Sequence, residues 1–214
     1  MFKFNFRNSL HQVLCLGAHS DDIEIGCGGT ILKLIEMYPN LEITWVVLGA
    51  KGIRQKEAIA SAEDFLSSVN PKKIIVKGFK DGFFPYIGAD IKLYFEELKK
   101  EVNPDLILTH YQQDLHQDHR LISELTKNTF RNHLIWEYEI PKYDGDLGSP
   151  NILVHLSQDI KQKKVKHLTK HFQTQNNKQW FTEETFKAIL RIRGIESNAP
   201  EQYAEGFYCR KIVF

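Results

Sequence analysis

An α/β fold of the Rossmann-like kind, a mostly parallel sheet held between two helical layers, is what this 214-residue sequence predicts. Short β-branched apolar runs alternate with longer amphipathic stretches through its first two thirds, the rhythm of right-handed βαβ units. Polar clusters of chemically versatile residues directly follow two of the apolar runs, where open parallel sheets bind their ligands.

The elements follow in order. Val13 to Ala18 reads as a first buried strand and Gly28 to Met37 as the helix after it. Glu42 to Leu48 is a second strand, followed by a helix from about Arg54 to Ser68 in which Ile59, Ala62, Phe65 and Leu66 recur at helical spacing. Lys73 to Val76 gives a third strand, and Asp90 to Val102 a helix with Ile91, Tyr94, Phe95 and Leu98 on one face. Leu106 to Thr109 is a fourth strand leading to a helix near Asp118. The last third is less regular: a turn-rich segment at Tyr143 to Asn151, a strand at Ile152 to His155, a basic helix from Ser157 to about Gln173 and a final strand at Tyr208 to Phe214. Lys161, Lys163, Lys164, Lys166 and Lys170 spread around that basic helix as a solvated face.

One domain spanning residues 1–214 suits this length. The formal net charge of +1 provides no field to gather polyanions, so nucleic acid is not an expected partner. No stretch approaches the roughly 20 apolar residues of a membrane span. Lys3 and Arg7 interrupt the N-terminal apolar pattern, unlike a signal peptide, which points to a cytoplasmic protein. Cys15, Cys27 and Cys209 are odd in number and contain no CxxC, so they suit neither a disulfide framework nor a thiolate zinc knuckle. Cys15 and Cys209 read as core residues. Oligomeric state stays open, homo-oligomers included.

Chemistry concentrates in AHSDDIE, residues 18–24, and LHQDHR, residues 115–120. Strand order 3-2-1-4 would make the first and fourth strands neighbours and bring both segments to one crevice at their carboxyl ends. His19 and Asp22 are three apart, and so are His116 and His119. Two imidazoles and a carboxylate make an open Zn²⁺ site with coordination left for water or substrate. Taken singly, each segment has a plainer explanation: Asp21 or Asp22 would cap a helix well, and HQDH could be a helix start with solvated histidines. Their joint placement favours the metal. GCGGT, residues 26–30, lacks both GxGxxG spacing and a GKS/T ending and reads as a close-packing turn before a helix, with Cys27 inside it and outside the ligand set.

AHSDDIEIGCGGTI resembles the Pro-Asp-Asp-x-Glu signature, and LHQDH the His-x-Asp-His signature, of the PIG-L and LmbE-like zinc N-acetylglucosaminyl deacetylases, which include enzymes of mycothiol and bacillithiol synthesis. RQKE at 54–57, KDG at 80–82 and YAEGF at 203–207 are similar to further family segments, so the resemblance spans most of the chain. It implies His19, Asp22 and His119 as ligands of one zinc ion per chain and Asp21 as general base. It also implies His116 acting on the reacting amide with Asp118 behind it, and Arg54 and Asp81 contacting sugar hydroxyls. Ser20 stands where the family usually has proline, and Asp114 where some relatives carry a tyrosine, which leaves the role of Asp114 unassigned.

The expected activity is therefore hydrolysis of the N-acetyl group of an N-acetylglucosamine-like sugar or glycoconjugate. Zn²⁺ would lower the pKa of water towards about 7 and polarise the acetyl oxygen, Asp21 would take the proton, and His116 would stabilise the oxyanion. Two other readings compete: another single-metal amidase or hydrolase, and a non-catalytic Rossmann-like module for a sugar or nucleotide. The latter should show a glycine-rich fingerprint and an acidic end to its second strand; that strand instead ends Leu48, Gly49, Ala50, Lys51. The group carried on the sugar is not legible.

Overall fold

Residues 12–17, QVLCLG, form β1 at the centre of a seven-stranded sheet. Its side chains are buried on both faces: Val13 and Cys15 join one apolar cluster, and Leu14 and Leu16 the other. Such a strand belongs to a sheet covered by helices on both sides, and burying each leucine contributes about 1.5–3 kcal/mol. The computed structural model describes residues 5–6 and 10–213; Lys3, Arg7 and Phe214 lie outside them.

After β1 come α1 (Asp22–Met37), β2 (Glu42–Val47), α2 (Ile53–Phe65) and β3 (Lys72–Val76). A short 3₁₀ turn at Phe84–Ile87 leads into α3 (Gly88–Glu101), β4 (Leu106–His110), α4 (Gln117–Thr129) and β5 (Leu134–Tyr138). The chain finishes with β6 (Ile152–Leu156), α5 (Gln158–His171), α6 (Glu183–Glu196) and β7 (Tyr203–Cys209). The sheet order is β3-β2-β1-β4-β5-β7-β6. The first four strands take the expected 3-2-1-4 arrangement, and β1 is parallel to both β2 and β4. Only β7 runs against its neighbours β5 and β6. No described helix is long and apolar enough to cross a membrane.

Four sequence expectations change. Helix α1 begins at Asp22 rather than Gly28, so GCGGT lies inside the helix. Its glycines still serve close packing: a Cβ on Gly26 would lie 2.1 Å from the Tyr138 ring of β5, leaving no room for any side chain. Strand β5 and helix α6 arise where no element was assigned. The final strand is Tyr203–Cys209, not Tyr208–Phe214, and so carries the YAEGF segment. Cys15, Cys27 and Cys209 are buried free thiols, and Cys27 Sγ donates to the Ile23 carbonyl of its own helix.

The fourth change concerns the lysines of α5. Lys161 and Lys164 are buried rather than solvated. Lys164 Nζ donates to Glu205 Oε1 and to the Ile25 carbonyl, both at 2.6 Å, while the Glu205 carboxylate accepts from the amides of Gly29 (2.7 Å) and Thr30 (2.6 Å). A charge pair out of water persists only when its remaining hydrogen-bonding capacity is filled, and here the backbone of α1 fills it. Glu205→Ala should thus destabilise the protein by about 3–5 kcal/mol, measured by urea unfolding, because the Lys164 ammonium keeps its burial and loses its counter-charge. Replacing Lys164 by Met in the same chain should recover part of that loss.

Candidate metal centre

Where β1 ends, the chain turns sharply, and the His19 amide donates to Asp22 Oδ2 at 2.6 Å. Asp21 occupies the N-cap of α1, but its carboxylate makes no capping bond. Across the β1–β4 junction, α4 begins at Gln117 with His116 as its N-cap, the imidazole accepting from the Asp118 amide. Adjacent strands thereby bring both segments to the carboxyl edge of the sheet.

Three donor atoms converge there. His19 Nδ1 is 3.2 Å from His119 Nε2 and 3.3 Å from Asp22 Oδ2, and His119 Nε2 is 3.5 Å from Asp22 Oδ2. Tetrahedral ligands at zinc distances of about 2.0–2.1 Å lie about 3.3 Å apart. The outer nitrogens explain why these atoms face inward. His19 Nε2 lies 3.2 Å from Asp118 Oδ2 and 3.1 Å from Asp81 Oδ1, and His119 Nδ1 lies 3.0 Å from Asp114 Oδ2. With each outer nitrogen facing a carboxylate that accepts its N–H, the inner nitrogens are left to present lone pairs to one another across 3.2 Å beside a third oxygen whenever both rings are neutral. Lone pairs so placed repel unless a proton or a cation lies between them, and the two-imidazole, one-carboxylate set suits Zn²⁺.

The electrostatics agree with that strain. Burial opposes a charge on His19, yet Asp22, Asp118 and Asp81 together hold its pKa well above the usual histidine value. Burial, reinforced by His110, pushes His119 down to about 3. Burial would raise Asp22, but His119, His110 and His19 outweigh it and keep it a carboxylate. A divalent ion among these donors would compensate the clustered carboxylates more fully than a shared proton.

Asp21 stands beside the donors without joining them. Its Oδ1 accepts from Arg54 Nη2 at 3.2 Å. Burial first and Asp22 second raise its pKa, against the pull of Arg54. Arg54 also reaches Asp81 Oδ2 (3.1 Å) and Ser20 Oγ (3.0 Å), so the residue in place of the family proline anchors the guanidinium. Asp81 and Arg54 therefore lie in the cluster, and Asp81 is half exposed at its mouth. Gly82 follows at φ +76°, a left-handed conformation natural to glycine, which aims its amide at Asp118 Oδ2 (2.7 Å).

Asp118 does not stand behind the His116 ring as expected. Its carboxylate is engaged by His19 and by the amides of Gly82 and Phe84, and only its backbone N–H meets His116 Nδ1, at 3.2 Å. His116 Nδ1 is therefore an acceptor and its proton sits on Nε2. Burial first and the neighbouring His19 second lower its pKa.

Lys142 and His110 were missed in the sequence, and Asp114, left there without a role, now has one. Asp114 steers His119, and Lys142 Nζ holds Asp114 Oδ2 at 2.9 Å. His110, the last residue of β4, stacks on His119 with ring centroids 3.9 Å apart. Its Nε2 accepts from the Ala18 amide at 2.9 Å, so the lone pair that could ligate a metal is already used. The histidine is a packing plate beneath the donors. A histidine ending an apolar strand beside AHSDD was the available signal.

The PIG-L family profile, GlcNAc-PI de-N-acetylase, matches residues 14–130, more than half of the chain, including His19, Asp21, Asp22, Arg54, Asp81, His116 and His119. The chain belongs to the PIG-L family. Among solved structures, this PIG-L chain is similar to the N,N'-diacetylchitobiose deacetylase from Pyrococcus horikoshii, with a TM-score of 0.71, 24% identity, and coverage of 96% of this chain and 85% of that one. A 4-carboxy-2-hydroxymuconate hydratase from Pseudomonas putida KT2440 is as similar in shape, with a TM-score of 0.71, 18% identity and coverage of 96% and 99%. A teicoplanin deacetylase solved in a zinc-inhibited form gives a TM-score of 0.69, 14% identity and coverage of 92% and 97%. At these identities the likenesses establish the PIG-L fold, and that fold carries both hydrolysis and hydration.

Proposed function

We propose that this protein is a zinc-dependent N-deacetylase that hydrolyses the N-acetyl group of an N-acetylglucosamine-like sugar or glycoconjugate, giving acetate and a free amine. The observation that carries the reading is the convergence of His19 Nδ1, Asp22 Oδ2 and His119 Nε2 within 3.2–3.5 Å, with the Asp21 carboxylate left over beside them. The family profile is itself that of a de-N-acetylase.

His19, Asp22 and His119 would hold the ion, which supplies Lewis acidity for the carbonyl and for water. Asp21 takes the proton from the attacking water and returns it to the departing nitrogen, so the C–N bond breaks as an amine leaves. Its raised pKa suits a group that must carry that proton between the two steps. Arg54 fixes the orientation of Asp21. His116, with its proton on Nε2 and its ring 4.9 Å from that of His19, donates to the oxygen that gains charge. Asp81, half exposed at the mouth, is placed to accept a sugar hydroxyl. Phe83 and Tyr86, exposed on the same loop with ring centroids 6.0 Å apart, offer apolar faces for a pyranose ring.

The test is acetate release from a panel of N-acetylated amino sugars and glycosides, with the zinc-reconstituted protein compared against chelator-treated protein. Acetate from at least one member, lost on chelation and restored by zinc, is the expected result. Hydration of an unsaturated acid with no acetate from any N-acetyl substrate would replace this function with a hydratase.

A further inference from the structure

Away from the carboxyl edge of the sheet, where α2 packs against α5, Asp64 meets His167 and His171. The two histidines stand four residues apart on α5, about one helical turn, so their rings share a face, with centroids 4.3 Å apart. Asp64 Oδ2 lies 2.7 Å from His171 Nε2 and 3.8 Å from His167 Nδ1. One donor atom from each of the three residues falls within 4.8 Å of the other two.

His167 is held ready. Its Nε2 is 2.9 Å from Ser61 Oγ, whose own hydrogen goes to Glu24, so Ser61 accepts the Nε2 proton and the lone pair rests on Nδ1, towards Asp64. The edge of Phe65 fixes the ring plane, with centroids 4.6 Å apart at 87°. This hydroxyl-to-imidazole support is the kind of outer contact that orients metal-ligating histidines.

We propose that Asp64, His167 and His171 form a second divalent transition-metal site, Zn²⁺ being the expected ion, which ties α2 to α5. Two imidazoles and a carboxylate from two helices suit zinc, nickel and copper rather than magnesium or calcium. Asp64 is exposed, so water completes the coordination and the ion can enter without the chain opening. Lys170, largely exposed, places Nζ 2.7 Å from the same Asp64 Oδ2 and competes with the ion for that oxygen.

The untagged chain, stripped with a chelator, is titrated with Zn²⁺ against a chromophoric chelator, and thermal melting is followed with and without zinc. Two equivalents per chain are expected. His171→Ala should lose the weaker-binding equivalent and the part of the thermal shift that goes with it. Lys170→Gln, which removes the competing ammonium, should tighten that equivalent by about two- to fivefold. Lys170 is largely exposed, whereas the His171 side chain is only 11% exposed at the end of α5; both lie apart from His19, Asp22 and His119, so the first equivalent stays in both variants and reports that the fold is kept. A stoichiometry of one in the unaltered chain, or a second equivalent indifferent to both substitutions, overturns the proposal.

Discussion

Asp21→Asn is expected to retain one zinc ion at the His19, Asp22 and His119 centre while lowering kcat by about 10²–10⁴-fold, the usual contribution of a positioned general base. The substitution preserves shape, and the Asn oxygen can still accept from Arg54 Nη2, now 3.2 Å from Asp21 Oδ1. None of the three converging donor atoms belongs to Asp21. What the variant loses is the ability to take and return a proton. KM should therefore change little while kcat falls, measured by acetate release alongside metal content. Wild-type turnover by a zinc-loaded Asp21→Asn protein would remove this residue from the chemistry.

His119→Ala has the opposite signature. It deletes one of the three donors, leaving His19 and Asp22 to hold the ion, and strips the buried Asp114 carboxylate of its imidazole partner. The variant should emerge from dialysis without zinc at the catalytic centre, and activity should fall to background. Asp114→Asn provides the graded control. The His119 ring stays but loses the carboxylate that fixes its tautomer, and affinity for the ion should drop by about 10–100-fold. Together the substitutions separate ligand, orienting group and base, because metal content and turnover fall together in the first, in part in the second, and apart in Asp21→Asn.

Much of this was legible in the sequence for a simple reason. His19, Asp21 and Asp22 directly follow the unbroken apolar run of β1, and His116 and His119 follow that of β4 after a short turn, so position on the sheet could be inferred from pattern alone. Strand β5 escaped because its pattern is interrupted by Glu137 and followed at once by Glu139, carboxylates that fold into the interior in the company of Arg210 and Arg193. The same blindness applied to Glu205 and Lys164, whose burial depends on a partner 41 residues distant. Helical spacing shows which face a lysine is on, not whether a counter-charge waits there. Asp114 went unassigned since its partner is fixed by a turn between β4 and α4 that no periodicity describes. The Gly-Cys-Gly-Gly stretch looked like a turn because glycine weakens helices; its place inside α1 follows from the Tyr138 ring pressing on Gly26.

The bond from Glu205 to the amides of Gly29 and Thr30 spans 176 and 175 residues. A ribosome that has added residue 130 has already synthesised His19, Asp22 and His119, yet the carboxylate that closes the helix bearing Asp22 is still unmade. The nascent chain must therefore wait for its last strand before the reaction centre can become rigid. Truncations just ahead of that strand should give polypeptides that contain all the proposed catalytic side chains but hold them loosely, and that are vulnerable to proteases and self-association.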